Sequence, residues 1–326
     1  MTGIFRTNNP LNTFLLLVYG ILLKFAWLLH PQIPVIHKSY GFLFNDIMEL
    51  IHSYFEAFPK FSFFIAYLLI FSQAITFNQI LISRKMMQKP NYLPAMSFLL
   101  ITSFFPDWNI LSAPLIINSI LVWVWSKMSN LNNNLHPKAT LFNVGIAIGL
   151  ASFLYLPSFV FALFVILSLI ITRPPKVAEW LVTFLGILTP WYFLFTWLFL
   201  TNKLYSFRFS GFGISQVSYN LFRNEWTGIL IIGLMIIIGL FFVQSYMSKQ
   251  ILQVRKNWGQ MLLYLLICIG IPFIIISHNI GYWILALVPA SAFIGAAFYY
   301  PRTRWIPLVI QWLMVGFTLY MQYFKK

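Results

Sequence analysis

Carboxylates are scarce in this chain, and half of them lie close together. Of the six Asp and Glu residues among 326, Asp46, Glu49 and Glu56 share one short segment with His52. A carboxylate can activate a hydroxyl by accepting its proton, and an imidazole can hold or relay a proton. This acidic segment is therefore the first place to look for chemistry.

A second polar segment has the opposite charge. Residues 201–224 contain Arg208 and Arg223, two glycines and several aromatic side chains. Guanidinium groups bind phosphate through charge-assisted hydrogen bonds, so this segment could hold a phosphate while the acidic segment activates a hydroxyl. The alternative is that both are ordinary solvated connections, in which the arginines form salt bridges with the acidic segment or with Glu225.

Few other residues could take part in chemistry. His278, Asn279 and Asp107 lie in short connections, and each alone is interpreted as a satisfied interfacial residue rather than as a ligand. No glycine-rich phosphate loop, zinc-type histidine pair or nucleophile elbow is present. The single cysteine, Cys268, lies in an apolar run, which excludes a disulfide framework and a thiolate metal site.

The elements that position these residues are predicted to be membrane helices. With 60% hydrophobic and 8% charged residues, the chain is too apolar to cover a soluble particle of this size. The net charge of +15 comes from short clusters of Lys and Arg between apolar runs, where they orient the chain and meet anionic lipid headgroups. The expected partner is therefore the lipid membrane, and nucleic acid is not expected.

Apolar runs of the length needed to cross a bilayer predict an all-α polytopic bundle with about eleven spans. The chain forms one integral membrane domain over residues 1–326, with long outer loops at 31–60 and 201–224. The predicted spans cover residues 11–30, 61–82, 91–105, 110–126, 140–154, 158–172, 178–200, 225–247, 259–277, 281–300 and 305–322.

The distribution of cations predicts an inner-membrane protein with a cytoplasmic N-terminus. This orientation puts 13 of the 21 Lys and Arg residues inside, whereas the short outer turns at 106–109, 155–157 and 278–280 carry none. Lys24 then falls in the outer part of the first span. Its side chain is expected to reach the outer interface, the alternative being a buried functional charge.

Residues 43–58 repeat with the period of an amphipathic helix. One half carries Leu43, Phe44, Ile47, Leu50, Ile51, Tyr54, Phe55 and Phe58, and the other carries Asp46, Glu49, His52, Ser53 and Glu56. This helix is expected to lie in the outer interface, with its aromatic half buried and its carboxylates turned toward the second outer loop. Its polar face is acidic, so attraction to anionic headgroups is not its purpose.

A first span, a long outer loop with an acidic helix, and then pairs of short spans joined by tight turns resemble the membrane glycosyltransferase superfold GT-C. The resemblance covers roughly residues 1–200. Members of that superfold take sugars from polyprenyl-phosphate carriers, and their catalytic carboxylate lies in the first outer loop. The resemblance thus implies Asp46 as general base or as ligand of a divalent metal ion, and Glu49 as the second catalytic candidate.

In the same reading Arg208 and Arg223 hold the carrier phosphate, and His52 and His278 are further substrate-binding candidates. The whole chain also resembles an uncharacterised family of multi-span inner-membrane proteins from Bacteroidota, including the start at Asn9–Asn12.

Two other functions fit the sequence. A non-catalytic membrane subunit could use the acidic helix to dock a periplasmic or membrane partner. A transporter fits less well, because no acidic residue lies at the predicted middle of the membrane.

Overall fold

The computed structural model describes residues 2–34, 40–131, 137–174, 176–207, 223–274, 279–303 and 305–323. These residues form fourteen α-helices and no strand. In chain order, α1 to α14 cover Thr2–Phe5, Leu11–Leu23, Phe25–Leu29, Phe42–Ala57, Pro59–Ser83, Leu93–Ile101, Ala113–Ser129, Pro137–Leu154, Phe161–Thr172, Val177–Leu200, Arg223–Met247, Leu252–Gly270, Ile284–Tyr299 and Trp305–Tyr323. The predicted all-α class is confirmed.

Six helical segments in the described ranges are long and apolar enough to cross a membrane, which is typical of a membrane protein. They are Pro59–Ser83, Pro137–Leu154, Val177–Leu200, Glu225–Met247, Ile280–Tyr299 and Trp305–Tyr323. Leu11–Leu23 and Leu156–Thr172 are apolar but shorter. The predicted span at 91–105 holds only the nine residues of α6, so the count of eleven spans stays a prediction.

The core is built around α13. All sixteen residues of α13 are buried, and so are all nine residues of α6, which packs against it. Small residues allow close approach: a Cβ at Gly239 of α11 would lie 2.1 Å from the carbonyl oxygen of Phe293. Asn118 of α7 also donates to the carbonyl of Ile284 at 3.0 Å. Packing of this kind fixes the connections at both ends of the bundle.

At one end, which we name the carboxylate end, the connections around α4 meet those after α6, α8 and α12. The Gly41 amide donates to the Leu154 carbonyl at 2.8 Å, and the Trp108 indole donates to the Ile280 carbonyl at 2.8 Å. Five of the six carboxylates belong to this end: Asp46, Glu49, Glu56, Asp107 and Glu225.

The opposite end, which we name the cationic end, gathers the N-terminus and the connections rich in Lys and Arg. Arg6 donates to the Tyr299 carbonyl at 2.7 Å, and Lys256 donates to the Thr172 carbonyl at 2.7 Å. The carboxylate found here, Glu179, is buried and lies 3.9 Å from Arg173. The two ends of the bundle therefore differ strongly in charge.

Lys24 does not reach an interface, so the prediction for its side chain is wrong. The side chain is 1% exposed and lies at the break between α2 and α3. Its ammonium donates to the Thr102 hydroxyl at 3.0 Å and to the Asn109 side-chain oxygen. Asn109 is held by donating to the carbonyls of Thr102 and Phe105. The end of α6 and the turn after it thus provide neutral hydrogen-bond acceptors for the Lys24 ammonium inside the protein.

Candidate functional site

The acidic helix α4 begins on the turn that follows α8. A Cβ at Gly41 would lie 2.0 Å from the Phe153 carbonyl oxygen, closer than real side chains come to a backbone atom. The Phe42 ring packs on the ring of Phe153 at 5.4 Å. Glycine at position 41 therefore lets the start of α4 lie directly against the end of α8.

Side chains of α4 fall into three groups around its axis. Phe44, Met48 and Phe55 are buried against the rest of the protein. A second group is apolar yet exposed, and comprises Leu43, Ile47, Leu50 and Tyr54, followed by Phe58. The third group is the acidic one, and Asp46, Glu49 and Glu56 are all exposed. Protein thus covers only part of the predicted apolar half.

Within the described residues, no cation from another element forms an ion pair with the carboxylates of α4. His52 Nδ1 lies 3.4 Å from Glu56 Oε1, one turn away on the same exposed face. Neither Asp46 nor Glu49 forms an ion pair within the part of the chain that the structure describes. These two carboxylates point away from the packed core and are accessible.

The connection that follows α10 approaches the start of α4. The Phe207 ring packs on the Phe42 ring with 5.3 Å between centroids. Arg208 and His278 lie outside the described residues, and Arg223 begins α11 without a described side chain. Their predicted approach to the carboxylates therefore stays a prediction, although the residue before Arg208 contacts the acidic helix.

An apolar groove runs beside the second half of α4. It has a volume of about 960 Å³, and its walls come from α4, the start of α5 and Pro31. Four of its ten described lining residues are aromatic, with Tyr54, Phe58 and Phe61 among them, and Lys60 is the one charged residue of these ten. Sequence reasoning missed this groove, although the aromatic residues on both sides of Pro59 were visible.

A smaller, more polar cavity of about 440 Å³ lies at the same end. Tyr40, Asp107, Ser112 and Asn279 are among its lining residues. Burial raises the pKa of Tyr40, and the neighbouring Tyr282 and Asp107 act in the same direction, so its phenol stays neutral. The sequence does not predict that Asp107 and Asn279 share a cavity, because nothing local shows that two distant connections meet.

The described residues contain no cluster of three His, Cys, Asp or Glu side chains able to bind a metal ion. Asp46 and Glu49, three residues apart on α4, are the exposed pair that could supply two carboxylate ligands. A divalent cation held there would need further ligands from a bound phosphate or from water.

A family model matches residues 30–326, and the chain belongs to this family of unknown function, DUF6427. The match does not include the Asn9–Asn12 start. No curated protein and no solved structure matches the chain. Membership is thus shown for most of the chain.

Proposed function

We propose that the protein is a GT-C-like glycosyltransferase that takes a sugar from a polyprenyl-phosphate carrier at the carboxylate end. One observation carries this proposal: α4 presents exposed carboxylates on one side and borders a large apolar groove on the other. A lipid-linked sugar needs both environments side by side, because its isoprenoid chain is apolar and its reacting end is polar. Lys60, at the groove, provides a cation for the phosphate between them.

In this proposal Asp46 accepts the proton of the acceptor hydroxyl while the hydroxyl oxygen attacks the anomeric carbon of the sugar. The bond from that carbon to the phosphate oxygen breaks, and the carrier phosphate leaves with the bonding electron pair. Lys60, together with Arg208 and Arg223, stabilises the negative charge of the phosphate. Asp46 acting instead as a metal ligand would help to hold a divalent cation against the phosphate.

The proposed setting is the inner membrane, with eleven spans, a cytoplasmic N-terminus and α4 in the outer interface. The separation of a cationic end from a carboxylate end supports this orientation. Cysteines introduced at Asn133 and Ser210 should react with a membrane-impermeant thiol reagent from opposite sides of the membrane. Background labelling should be low since Cys268 is buried. Labelling of both positions from one side would contradict the topology.

The groove can be tested by filling it. Ala57 lines the groove and is exposed, so Ala57→Trp adds bulk without charge. Affinity in an apolar medium rests on shape and dispersion, so we expect undecaprenyl phosphate binding to weaken by roughly tenfold. Native mass spectrometry of the purified protein measures this binding. Ala139→Trp, an exposed alanine at the start of α8, is the matched control and should bind normally. Equal binding by the wild-type protein and by both variants would contradict the proposed role of the groove.

A second function is favoured by a different observation. The carboxylates of α4 are exposed and line none of the described cavities, as suits a non-catalytic subunit that docks a basic partner. Such a subunit would tolerate Asp46→Asn with a graded loss of partner binding, and Glu49 and Glu56 would matter to a similar degree. A comparison of the three substitutions therefore separates docking from catalysis.

A further inference from the structure

A third cavity, of about 460 Å³, lies at the cationic end, away from the proposed active site. It forms where the connection after α5 meets the connection between α11 and α12. Lys85 and Lys89 line it from the first connection, and Lys249 lines it from the second. Among the described residues that line this cavity there is no carboxylate. Three exposed lysines on one concave surface favour an anionic ligand.

The backbone of Lys85 supplies an independent observation. Its φ is 53°, in the left-handed region that disfavours L-residues other than Asn and Asp. The Lys85 amide donates to the Ile82 carbonyl at 2.9 Å and the Met86 amide to the Leu81 carbonyl at 3.1 Å, which is the helix-ending pattern that normally contains glycine. A lysine here costs backbone strain that glycine would avoid.

Other residues surround the lysines of this cavity. The Lys249 ammonium lies 5.7 Å from the ring centroid of Tyr246, which itself stacks on Tyr300 at 4.4 Å. Asn78 lines the cavity and is fully buried; its amide nitrogen donates to the Asn91 carbonyl at 3.0 Å. The side-chain oxygen of Asn78 has no hydrogen-bond partner in the described part of the chain. That oxygen is enclosed by protein, so a ligand in the cavity would meet the lysines and not this acceptor.

We propose that this cavity binds the phosphate-bearing headgroup of an anionic phospholipid, such as phosphatidylglycerol. The three lysines neutralise the negative charge of the phosphate. The remaining lining is largely apolar, with Ile82, Met87 and Val254, and suits the start of an acyl chain rather than a free ion. The site does not depend on the glycosyltransferase proposal.

The test compares variants of the full chain by native mass spectrometry with phosphatidylglycerol and, separately, phosphatidylcholine. Removing one ammonium near the headgroup should weaken phosphatidylglycerol binding about fivefold, in both Lys85→Gly and Lys249→Ala. Lys85→Gly should also raise the thermal midpoint slightly, since glycine relieves the left-handed backbone. Lys85→Arg, which keeps the charge, should retain binding. Lys138→Ala, an exposed lysine that does not line the cavity, is the control and should leave binding unchanged.

Several results would overturn the proposal. Equal weakening by Lys138→Ala would show a general charge effect without a site. Displacement of the lipid by millimolar inorganic phosphate would assign the cavity to a free anion. Equal binding of phosphatidylcholine would show that the cavity does not select an anionic headgroup. A lower thermal midpoint with normal lipid binding in Lys85→Gly would show that Lys85 has a structural role only. If Lys85→Gly does not fold, Lys85→Asn, which tolerates the same backbone conformation, gives the same test.

Discussion

Asp46→Asn is expected to lower sugar transfer by on the order of a hundredfold or more, because the amide cannot act as a base or as an anionic metal ligand. The substitution keeps the shape of the side chain. Asp46 is exposed on α4 and forms no ion pair within the described residues, so the folded protein should remain at its normal level. The measurement is complementation of a deletion strain, with surface glycans and protein level recorded together.

Glu56→Gln is the matched control on the same helix, and Glu49→Gln tests the second catalytic candidate. Glu56 pairs with His52 and lies near the far end of α4, so its substitution should leave transfer almost unchanged. Glu49, one turn from Asp46, should have an intermediate effect as the second candidate. Comparable, graded losses from all three variants would favour the docking subunit instead.

Gly41→Ala is expected to have the second large effect, on stability as well as on activity. The backbone of Gly41 has φ −69° and ψ 159°, which alanine adopts freely, so the cost is steric. The added methyl group would meet the Phe153 carbonyl oxygen at 2.0 Å and force the start of α4 away from the end of α8. Overpacking of this kind costs roughly 1–3 kcal/mol.

Thermal unfolding of the purified protein in nanodiscs measures this loss, and transfer activity should fall with it because α4 carries Asp46. Gly316→Ala is the control, since a Cβ at Gly316 in α14 meets nothing within 4 Å. Alanine in a helix is more stable than glycine by roughly 0.5–1 kcal/mol, so this control should unfold at the same or a slightly higher temperature. A normal midpoint for Gly41→Ala would contradict the described contact between α4 and α8.

The helical class could be predicted from the sequence because its causes are local. Long apolar runs correspond to membrane-length helices such as Pro59–Ser83 and Val177–Leu200. The period of the apolar residues at 43–58 predicted a helix where the structure has Phe42–Ala57. Both features depend on residues within a few turns of each other.

Features that depend on distant contacts could not be predicted. Lys24 turns inward because Thr102 and Asn109, far along the chain, offer acceptors. The cavity of Lys85 and Lys249 exists because two connections meet at the cationic end. The nine residues of α6 are too few to cross a membrane alone, yet they are completely buried because other helices surround them. A single sequence does not show which distant residues are in contact.

The central claim is that the protein consumes a polyprenyl-phosphate-linked sugar, and the most direct test is the amount of this donor in cells. Lipid extracts from the parent strain, the deletion strain and the deletion strain that expresses Asp46→Asn can be compared by mass spectrometry. The account predicts that the same lipid-linked sugar accumulates in the deletion strain and in the Asp46→Asn strain, and that the wild-type gene restores the parental level. An unchanged pool of lipid-linked sugars in the deletion strain, together with unchanged surface glycans, would contradict the account.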